Sequence, residues 1–163
     1  KAVLNLFGYT GSFSVYAAAG GARSTVTVDL SKTYLNWARD NFVLNSLLGP
    51  DHEFVRKDAI QYLSDAKTAR HRFDLIVLDP PTFSNSKKMD HDLDIQKDHP
   101  KLINACLSLL SPKGELVFST NRKKFSFRKD LVGTDNITKI TKLTMQEDFK
   151  GTNIHSVWSL KRD

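Results

Sequence analysis

The stretch from residue 73 to residue 83, FDLIVLDPPTF, constrains the fold of this chain more than any other. Leu75–Leu78 is apolar without interruption, which predicts a strand covered on both faces of a sheet. Asp79 follows at the carboxyl end of that strand, where open α/β sheets bind their ligands. Pro80 and Pro81 fix φ and remove two backbone donors, so the loop that leaves the strand is stiff. Two interpretations stand side by side: a strand capped by a turn, or a site for one flat, polar group.

The first residues predict a strand, a glycine turn and a helix. Val3–Phe7 is mostly apolar, and Gly8 and Gly11 bracket the turn that follows. Phe13–Ala19 is small and apolar with helical character, and Gly20-Gly21 ends it. Such a turn lets a ligand approach the backbone and points helix N-terminal amides at it. The glycine spacing departs from the dinucleotide fingerprint G-x-G-x-x-G, so the turn alone is a weak signal.

A second predicted strand, Thr25–Val28, ends in an acid. The carboxylate of Asp29 is placed to hydrogen-bond a ribose diol or, alternatively, to lie near the positive end of the next helix dipole. Ser31 is a good N-cap for that helix, predicted from Lys32 to Ser46. Because a glycine turn precedes it, we favour the ribose interpretation.

A third strand is predicted at Glu53–Arg56, followed by a helix through about Ala66. Asp58 stands between them, so a third acid is expected at the same edge of the sheet. An acceptor there could receive the exocyclic amine of an adenine.

The segment 84–94 is polar, lacks periodicity and is long for a connection in an α/β fold, which predicts a functional or mobile loop. The alternating acids of Asp90–Asp94 suggest a calcium loop, but the sixth position is Ile95 rather than Gly and the twelfth is Lys101 rather than Glu. The five histidines show no metal-ligand spacing either. No metal is therefore predicted.

The next segments predict a helix and a fifth strand. Ile95–Leu110 is amphipathic, and His99-Pro100 within it marks either a kink or the true start of the helix. Pro112 breaks the helix and Gly114 turns the chain before the strand Glu115–Ser119.

A basic segment with interleaved aromatics follows this strand: Arg122, Lys123, Lys124, Phe125 and Phe127. The rings could stack on the bases of an RNA strand, or they could face the core from a solvated basic helix. The net charge of +6 favours an acidic partner, with nucleic acid as the first candidate.

Strands that alternate with helices predict a parallel, doubly wound sheet in a single domain, residues 1–163. Lys139–Met145 and Ile154–Leu160 have period 2 and predict a closing antiparallel pair. No apolar run approaches a membrane span. The single cysteine, Cys106, lies among leucines at helical spacing, which predicts a packing role and fits a reducing cytoplasm. Because the chain opens at Lys1 inside a strand pattern, we expect a fragment of a longer protein.

Two motifs resemble the S-adenosylmethionine-dependent RNA methyltransferases of bacteria. Residues 4–11, LNLFGYTG, resemble their first motif, and Asp79–Phe83 resembles their fourth. More closely, residues 20–24, residues 28–31 and Asp79–Lys87 are similar to the C-terminal half of the bifunctional large-subunit rRNA methyltransferase family K/L. The resemblance covers essentially the whole chain. It implies a Rossmann-like class I methyltransferase fold, S-adenosylmethionine as cofactor, large-subunit ribosomal RNA as substrate, guanine N7 as methyl acceptor, and an upstream methyltransferase domain in the full-length chain.

The resemblance also implies site residues. Those that would contact the cofactor are Phe7, Tyr9, Thr10, Gly11, Asp29, Leu30, Asp58 and Ala59. Those that would hold the target base beside the sulfonium are Asp79, Pro80, Pro81 and Phe83. The basic side chains expected to bind RNA are Lys87, Lys88, Arg122, Lys123 and Lys124.

The chemistry of the target atom narrows the reaction. Methylation of a pyrimidine carbon-5 needs a cysteine nucleophile, because that carbon is not nucleophilic until an adduct forms at C6. In related rRNA enzymes that cysteine follows the fifth strand, where this chain has Thr120-Asn121. A ring nitrogen such as guanine N7 needs only alignment with the methyl group and exclusion of water, and a nearby acid would stabilise the charge it gains.

Two alternatives stay open. An exocyclic amine, guanine N2 or adenine N6, would use Asp79 and the proline carbonyls to accept its N–H groups, and the residues alone do not separate it from N7. A non-catalytic RNA-binding module would keep the basic segment but could discard Asp29 and Asp58, both of which are present.

Overall fold

A computed structural model describes residues 1–84, 93–145, 147–149 and 154–162 of the chain. The strands are β1 (Ala2–Leu6), β2 (Ser24–Asp29), β3 (His52–Arg56), β4 (Phe73–Leu78), β5 (Phe83–Ser84), β6 (Leu93–Asp94), β7 (Leu110–Thr120), β8 (Ile137–Lys139) and β9 (Ser156–Lys161). The α-helices are α1 (Ser12–Ala19), α2 (Lys32–Leu44), α3 (Ala59–Thr68), α4 (Ile95–Leu107) and α5 (Thr141–Thr144). Short 3-10 turns lie at Lys129–Leu131 and Glu147–Phe149.

One mixed sheet forms the centre of the described residues, in the strand order β3-β2-β1-β4-β7-β9-β8. The neighbours from β3 to β7 pair in parallel, and β9 pairs antiparallel with both β7 and β8. β5 and β6 form a separate antiparallel pair. The predicted fold class, a mostly parallel α/β sheet with an antiparallel edge, is confirmed.

The core lies on both faces of the central strands. Every residue of β1 is buried, and the largest fully buried side chains of β1, β4 and β7 include Leu4, Ile76 and Phe118. Burial on both faces is what an uninterrupted apolar run predicts for a parallel strand that helices cover on each side.

The carboxyl ends of the parallel strands meet at one edge of the sheet. Leu6 pairs with Val28 on one side and with Leu78 on the other, and Leu78 pairs with Phe118. The residues that follow these strands therefore come together, although up to about a hundred positions separate them in sequence.

Helix α4 begins before the His99-Pro100 pair and continues through it. Pro100 has no N–H, so the carbonyl oxygen of Gln96 lacks its usual i+4 donor. Nδ1 of the buried His99 ring lies 2.9 Å from the oxygen of Ile95 and 3.1 Å from that of Gln96. The histidine side chain thus supplies the hydrogen bond that the proline removes, which keeps the helix continuous.

The strand β7 starts earlier than predicted. Helix α4 ends at Leu107 rather than Leu110, and the strand already contains Pro112 and Gly114. Its register against β4 shifts between the partners of Phe73 and Leu75, so Pro112 and Gly114 lie in an irregular part of the strand rather than in a separating turn.

The predicted strand Lys139–Met145 is wrong. The strand that pairs with β9 is Ile137–Lys139, and the chain then turns into the short helix α5. The hydroxyl of Thr141 accepts the backbone N–H of Val157 at 2.9 Å. The Thr141 side chain here accepts the hydrogen bond that a backbone carbonyl of a neighbouring strand would otherwise accept. The alternating pattern of the sequence does not reveal this replacement.

Candidate functional site

A cavity of about 880 Å³ lies at the carboxyl ends of β1, β2, β4 and β7. Eight predicted site residues form part of its wall: Phe7, Tyr9, Asp29, Leu30, Ala59, Asp79, Pro80 and Pro81. Four others lie beside it rather than in its wall: Thr10, Gly11, Asp58 and Phe83. The wall also contains polar side chains that were not predicted as site residues: Ser31, Tyr34, Lys57, Ser119, Thr120, Asn121, Thr144 and His155. The volume lies within the range of about 300–1,000 Å³ typical of small-molecule sites.

The turn between β1 and α1 has an unusual backbone. Phe7, Tyr9 and Gly11 have positive φ values of 57°, 47° and 73°. A side chain at Gly8 would collide with Cγ2 of Thr27, while the Gly8 N–H donates to the oxygen of Val28 at 2.9 Å. For Phe7 and Tyr9 the left-handed conformation costs about 1–2 kcal/mol each, and such strain is concentrated at ligand sites.

Thr10 and Gly11, just before α1, make contacts with α2. A Cβ on Gly11 would lie 2.7 Å from Cβ of Ala38, so only glycine permits this approach of the two helices. Asn41 in α2 donates its Nδ2–H to the oxygen of Thr10 at 2.9 Å. Thr10 and Gly11, both predicted to contact the cofactor, therefore fix the turn against α2 and are not part of the cavity wall.

A buried polar network supports the turn from below. Nδ2 of Asn5 donates to Oγ of Ser14 at 3.1 Å, and Ser14 Oγ is 2.7 Å from Oγ1 of Thr27. Asn5 is 1% exposed, and its Oδ1 has no hydrogen-bond partner among the described residues. The network fixes the start of α1 against β1 and β2.

The carboxylate of Asp29 is oriented by two backbone donors. Oδ2 accepts the N–H of Tyr9 at 3.0 Å, and Oδ1 accepts the N–H of Ser31 at 2.8 Å. A carboxylate oxygen can accept two hydrogen bonds, so each oxygen keeps one lone pair for a ligand. The arrangement suits two neighbouring hydroxyl groups.

Asp58 is the N-cap of α3. Its Oδ1 accepts the N–H groups of Ile60 and Gln61 at 2.9 and 3.0 Å. The neighbouring residues Lys57 and Ala59, rather than Asp58, form the cavity wall at this position. The side chain of Asp58 thus has a structural role in helix α3, and only its Oδ2 is left for a ligand.

The loop after β4 is tied to the end of β7. Ser119 donates its hydroxyl to Oδ1 of Asp79 at 2.5 Å, and Thr82 donates its hydroxyl to Oδ1 of Asn121 at 2.8 Å. Ser119 and Asn121 were not predicted as site residues. The signal for them is that polar residues at the end of β7 adjoin the loop of β4, because the two strands are parallel neighbours.

Phe83 is 62% exposed, and the guanidinium carbon of Arg122 lies 4.9 Å from its ring centroid. Arg122 also forms a salt bridge of 2.9 Å with Asp94, the N-cap of α4. Arg122 was predicted to bind RNA, yet its charge is already paired within the chain. Its contacts support Phe83.

The other predicted RNA-binding lysines are less constrained. Lys123 and Lys124 are exposed, and neither takes part in a salt bridge within the described parts of the chain. Lys87 and Lys88 lie outside the described residues.

Phe125 and Phe127 pack inward, which favours the alternative in which the rings face the core over the one in which they stack on bases. The ring centroid of Phe125 is 4.7 Å from that of His99, and the centroid of Phe127 is 4.9 Å from that of Trp158. Both rings join the core cluster around Phe118. The alternative is right about the rings facing the core, but the segment is not a helix.

The chain's only cysteine is fully buried in α4, and burial raises the pKa of the Cys106 thiol. It packs as predicted and cannot supply a thiolate to the cavity. In the described residues, no group of three or more His, Cys, Asp or Glu side chains is arranged to hold a metal ion. Over the same parts of the chain, every helix is too short or too polar to cross a membrane.

A family model for S-adenosylmethionine-dependent methyltransferases matches residues 1–146. The chain is 52% identical over 162 residues to ribosomal RNA large subunit methyltransferase K of Neisseria meningitidis, covering 99% of this chain and 46% of that protein. It is 50% identical over 161 residues to ribosomal RNA large subunit methyltransferase K/L of a Shewanella species, covering 97% of this chain and 22% of that protein. The chain thus spans less than half the length of these curated relatives.

Solved structures share the fold. A methyltransferase crystallised in complex with SAH superimposes with a TM-score of 0.80 at 30% identity, over 99% of this chain and 45% of that one. A SAM-dependent methyltransferase from Agrobacterium tumefaciens gives a TM-score of 0.79 at 27% identity, over 99% of this chain and 56% of that one.

Proposed function

The chain belongs to the S-adenosylmethionine-dependent methyltransferases, and we propose that it transfers the methyl group of this cofactor to N7 of a guanosine in large-subunit ribosomal RNA. The observation that carries the proposal is the cavity in which the Asp29 carboxylate and the Asp79 loop face one space. The names of the relatives, which are 50–52% identical to this chain, support the choice of substrate. We further propose that residues 1–163 make up one catalytic domain.

The cavity has the groups that the cofactor requires. Asp29 keeps one acceptor on each oxygen for the two ribose hydroxyls. Leu30 and Ala59 offer apolar surface to the adenine, and Oδ2 of Asp58, outside the wall itself, is the acceptor that we propose for its amine. Phe7 and Tyr9 line the part of the cavity assigned to the methionine moiety, while Thr10 and Gly11 hold their backbone in place. When bound, S-adenosylmethionine supplies an electrophilic methyl group.

The chain's own residues position the base. Pro80 and Pro81 line the cavity on a stiff loop, and the hydroxyl of Ser119 fixes the carboxylate of Asp79. A fixed carboxylate stabilises the positive charge that guanine acquires when N7 is alkylated. Phe83, exposed beside this loop, offers a face on which a base can stack.

Methylation of a pyrimidine carbon-5 through a covalent adduct would lack a cysteine nucleophile in this chain. Carbon-5 methylation needs a thiolate next to the base, and Cys106 is fully buried in α4 with a raised pKa. Direct attack by a nitrogen lone pair on the methyl carbon needs neither a thiolate nor, for N7, a base to remove a proton. The same site would suit an exocyclic amine if Asp79 accepted its N–H groups, and an experiment separates the two.

Two nucleotide substitutions give opposite outcomes for the two acceptors. Large-subunit rRNA is transcribed in vitro with 7-deazaguanosine, which has carbon in place of N7, or with inosine, which lacks the N2 amine. We expect methyl transfer to the inosine transcript and none to the 7-deazaguanosine transcript. Transfer only to the 7-deazaguanosine transcript would place the methyl group on N2 and contradict the N7 assignment. Adenine as the target would leave both transcripts active.

The cofactor assignment has its own test. Calorimetry with S-adenosylmethionine should detect binding to the intact protein. An absence of binding would overturn the proposed function before any RNA is needed.

RNA contact is proposed for Lys123 and Lys124, which are exposed next to the loop of β4 and the end of β7. Arg122 is assigned instead to supporting Phe83. Replacing both lysines with glutamine should weaken RNA binding and reduce its salt dependence, because fewer phosphate counterions are released.

A further inference from the structure

We infer that Asn121 determines specificity for guanine by donating a hydrogen bond from Nδ2 to O6 of the target base. Thr82 orients its amide, and Asp79 supplies the neighbouring acceptor. The inference rests on the proposed function, because it assumes that guanine enters the cavity.

The orientation of the Asn121 amide follows from one contact. The Thr82 hydroxyl donates to Oδ1 of Asn121 at 2.8 Å, so the oxygen faces the loop after β4. Nδ2, the other terminal atom of the planar amide, therefore points away from Thr82, and it donates to no side chain or backbone group among the described residues. Asn121 is exposed and lines the cavity, so its N–H groups are available to a ligand there.

An acceptor lies close to this donor along the same strand end. Leu78 pairs with Phe118, which places Asp79 beside Ser119, two residues before Asn121. The Ser119 hydroxyl occupies one lone pair on Oδ1 of Asp79 at 2.5 Å, and Oδ2 is left to accept from a ligand. One amide donor and one carboxylate acceptor are thus left unpaired on two neighbouring parts of the cavity wall.

This pair matches one edge of guanine. On its Watson–Crick edge the base presents the O6 acceptor next to the N1–H donor, and N7 lies on the adjoining Hoogsteen edge, which shares O6. Nδ2 of Asn121 can donate to O6 while Oδ2 of Asp79 accepts from N1–H. Adenine presents an amine where guanine has O6, so two donors would meet at Asn121. A site built to pair with O6 therefore rejects adenine as well as binding guanine.

A cycle of two changes tests the contact directly. The wild type and Asn121→Ala are each assayed on rRNA transcripts made with guanosine or with 6-thioguanosine, whose sulfur is a weak acceptor. We expect the wild type to lose kcat/KM on the order of tenfold on the sulfur-containing transcript, as for a lost hydrogen bond in a binding site. The alanine variant should have nearly the same kcat/KM on both, because it cannot make the contact with either base. Equal losses for the two proteins would overturn the inference.

Variants of Thr82 test independently whether its hydroxyl orients the amide of Asn121. Thr82→Val keeps the shape but removes the hydroxyl, so the amide of Asn121 can rotate and the discrimination between oxygen and sulfur should fall. Thr82→Ser restores a hydroxyl and should recover the discrimination. A merely structural role for Thr82 would lower stability and rate without changing the ratio between the two transcripts.

Asn121→Asp replaces the donor with an acceptor of the same shape and should reduce kcat/KM further than alanine does. Its matched control is Asn45→Asp, the same change at the exposed end of α2, away from the cavity. A wild type that transfers no methyl group to either transcript would contradict the proposed function. An active wild type with an unaltered Asn121→Ala variant would contradict only the inference about Asn121.

Discussion

The backbone N–H of Arg128 donates to Nε2 of the buried His99 ring at 3.0 Å. Because Nε2 accepts, the ring proton must be on Nδ1, which faces the carbonyl oxygens of Ile95 and Gln96. One neutral histidine therefore repairs helix α4 at Pro100 and anchors the basic segment after β7. The contact between Arg128 and His99 thus links α4 to the segment after β7, which also contains Arg122.

This histidine predicts a pH dependence of stability. Burial lowers the pKa of His99, although its hydrogen bonds to Ile95 and Gln96 act in the opposite direction. Above about pH 6.5, the ordinary histidine pKa, the ring is neutral in both states and its contribution is complete. As the pH falls further the unfolded state takes up a proton more readily than the folded state, so the free energy of unfolding decreases until the pH reaches the folded-state pKa. Urea unfolding across this range should show a shallower decrease for His99→Gln than for the wild type, and parallel curves would contradict the assignment.

Asp29→Asn should weaken cofactor binding by about tenfold or more, roughly 1.4 kcal/mol. The amide has one acceptor oxygen, whereas the carboxylate meets the N–H groups of both Tyr9 and Ser31 and keeps an acceptor on each oxygen. Calorimetry with S-adenosylmethionine measures the change. Asp40→Asn, on the exposed face of α2, is the matched control. Equal affinities of the two variants would exclude a direct role for Asp29.

Gly11→Ala should lower the free energy of unfolding by at least about 1–2 kcal/mol, the cost of the left-handed conformation alone. The new methyl group would also press on Ala38, 2.7 Å away. Adding Ala38→Gly removes the closest contact, with Cβ, but not the contact of 3.2 Å with Cα or the strain at φ 73°, so the double variant should recover only part of the loss. Denaturant unfolding of the two single variants and the double variant checks this. Full recovery would mean that the positive φ costs nothing.

Asp79→Ala should abolish methyl transfer while leaving cofactor affinity within about tenfold, or 1.4 kcal/mol. In the proposed arrangement Asp79 lies on the base side of the cavity, whereas Asp29 lies on the cofactor side. Ser119→Ala removes the hydroxyl that orients Asp79 and should reduce kcat with a smaller effect than the loss of the carboxylate. A large loss of cofactor affinity in Asp79→Ala would place this residue on the cofactor side instead.

The sequence was sufficient to predict the residues that follow the parallel strands. Asp29 and Asp79 each come at the end of a predicted strand, and the topology of a parallel sheet brings such positions to one edge. The apolar run of β4 and the turn after β1 could be recognised for the same local reason. Local sequence patterns were enough to predict these features, because all the residues of each pattern lie within one strand or one turn.

Contacts that depend on packing between distant segments could not be predicted. The pairs Thr82 with Asn121 and Ser119 with Asp79 span about 40 positions and exist only because β4 and β7 are neighbours in a particular register. Similarly, Phe125 lies in a basic segment, but the ring of His99 in a separate helix determines that it packs inward.

The left-handed residues Phe7, Tyr9 and Gly11 have a consequence for the kinetics of ligand binding. The close packing of Gly8 against Thr27 and the hydrogen bond from its N–H to Val28 hold the turn in this shape. Fixing the backbone of a residue opposes binding by about 1–2 kcal/mol of lost conformational entropy, and here much of that loss has already occurred during folding. We therefore expect cofactor association to be limited by diffusion into the cavity rather than by ordering of this turn, with heat-capacity and rate data that resemble binding to a rigid site.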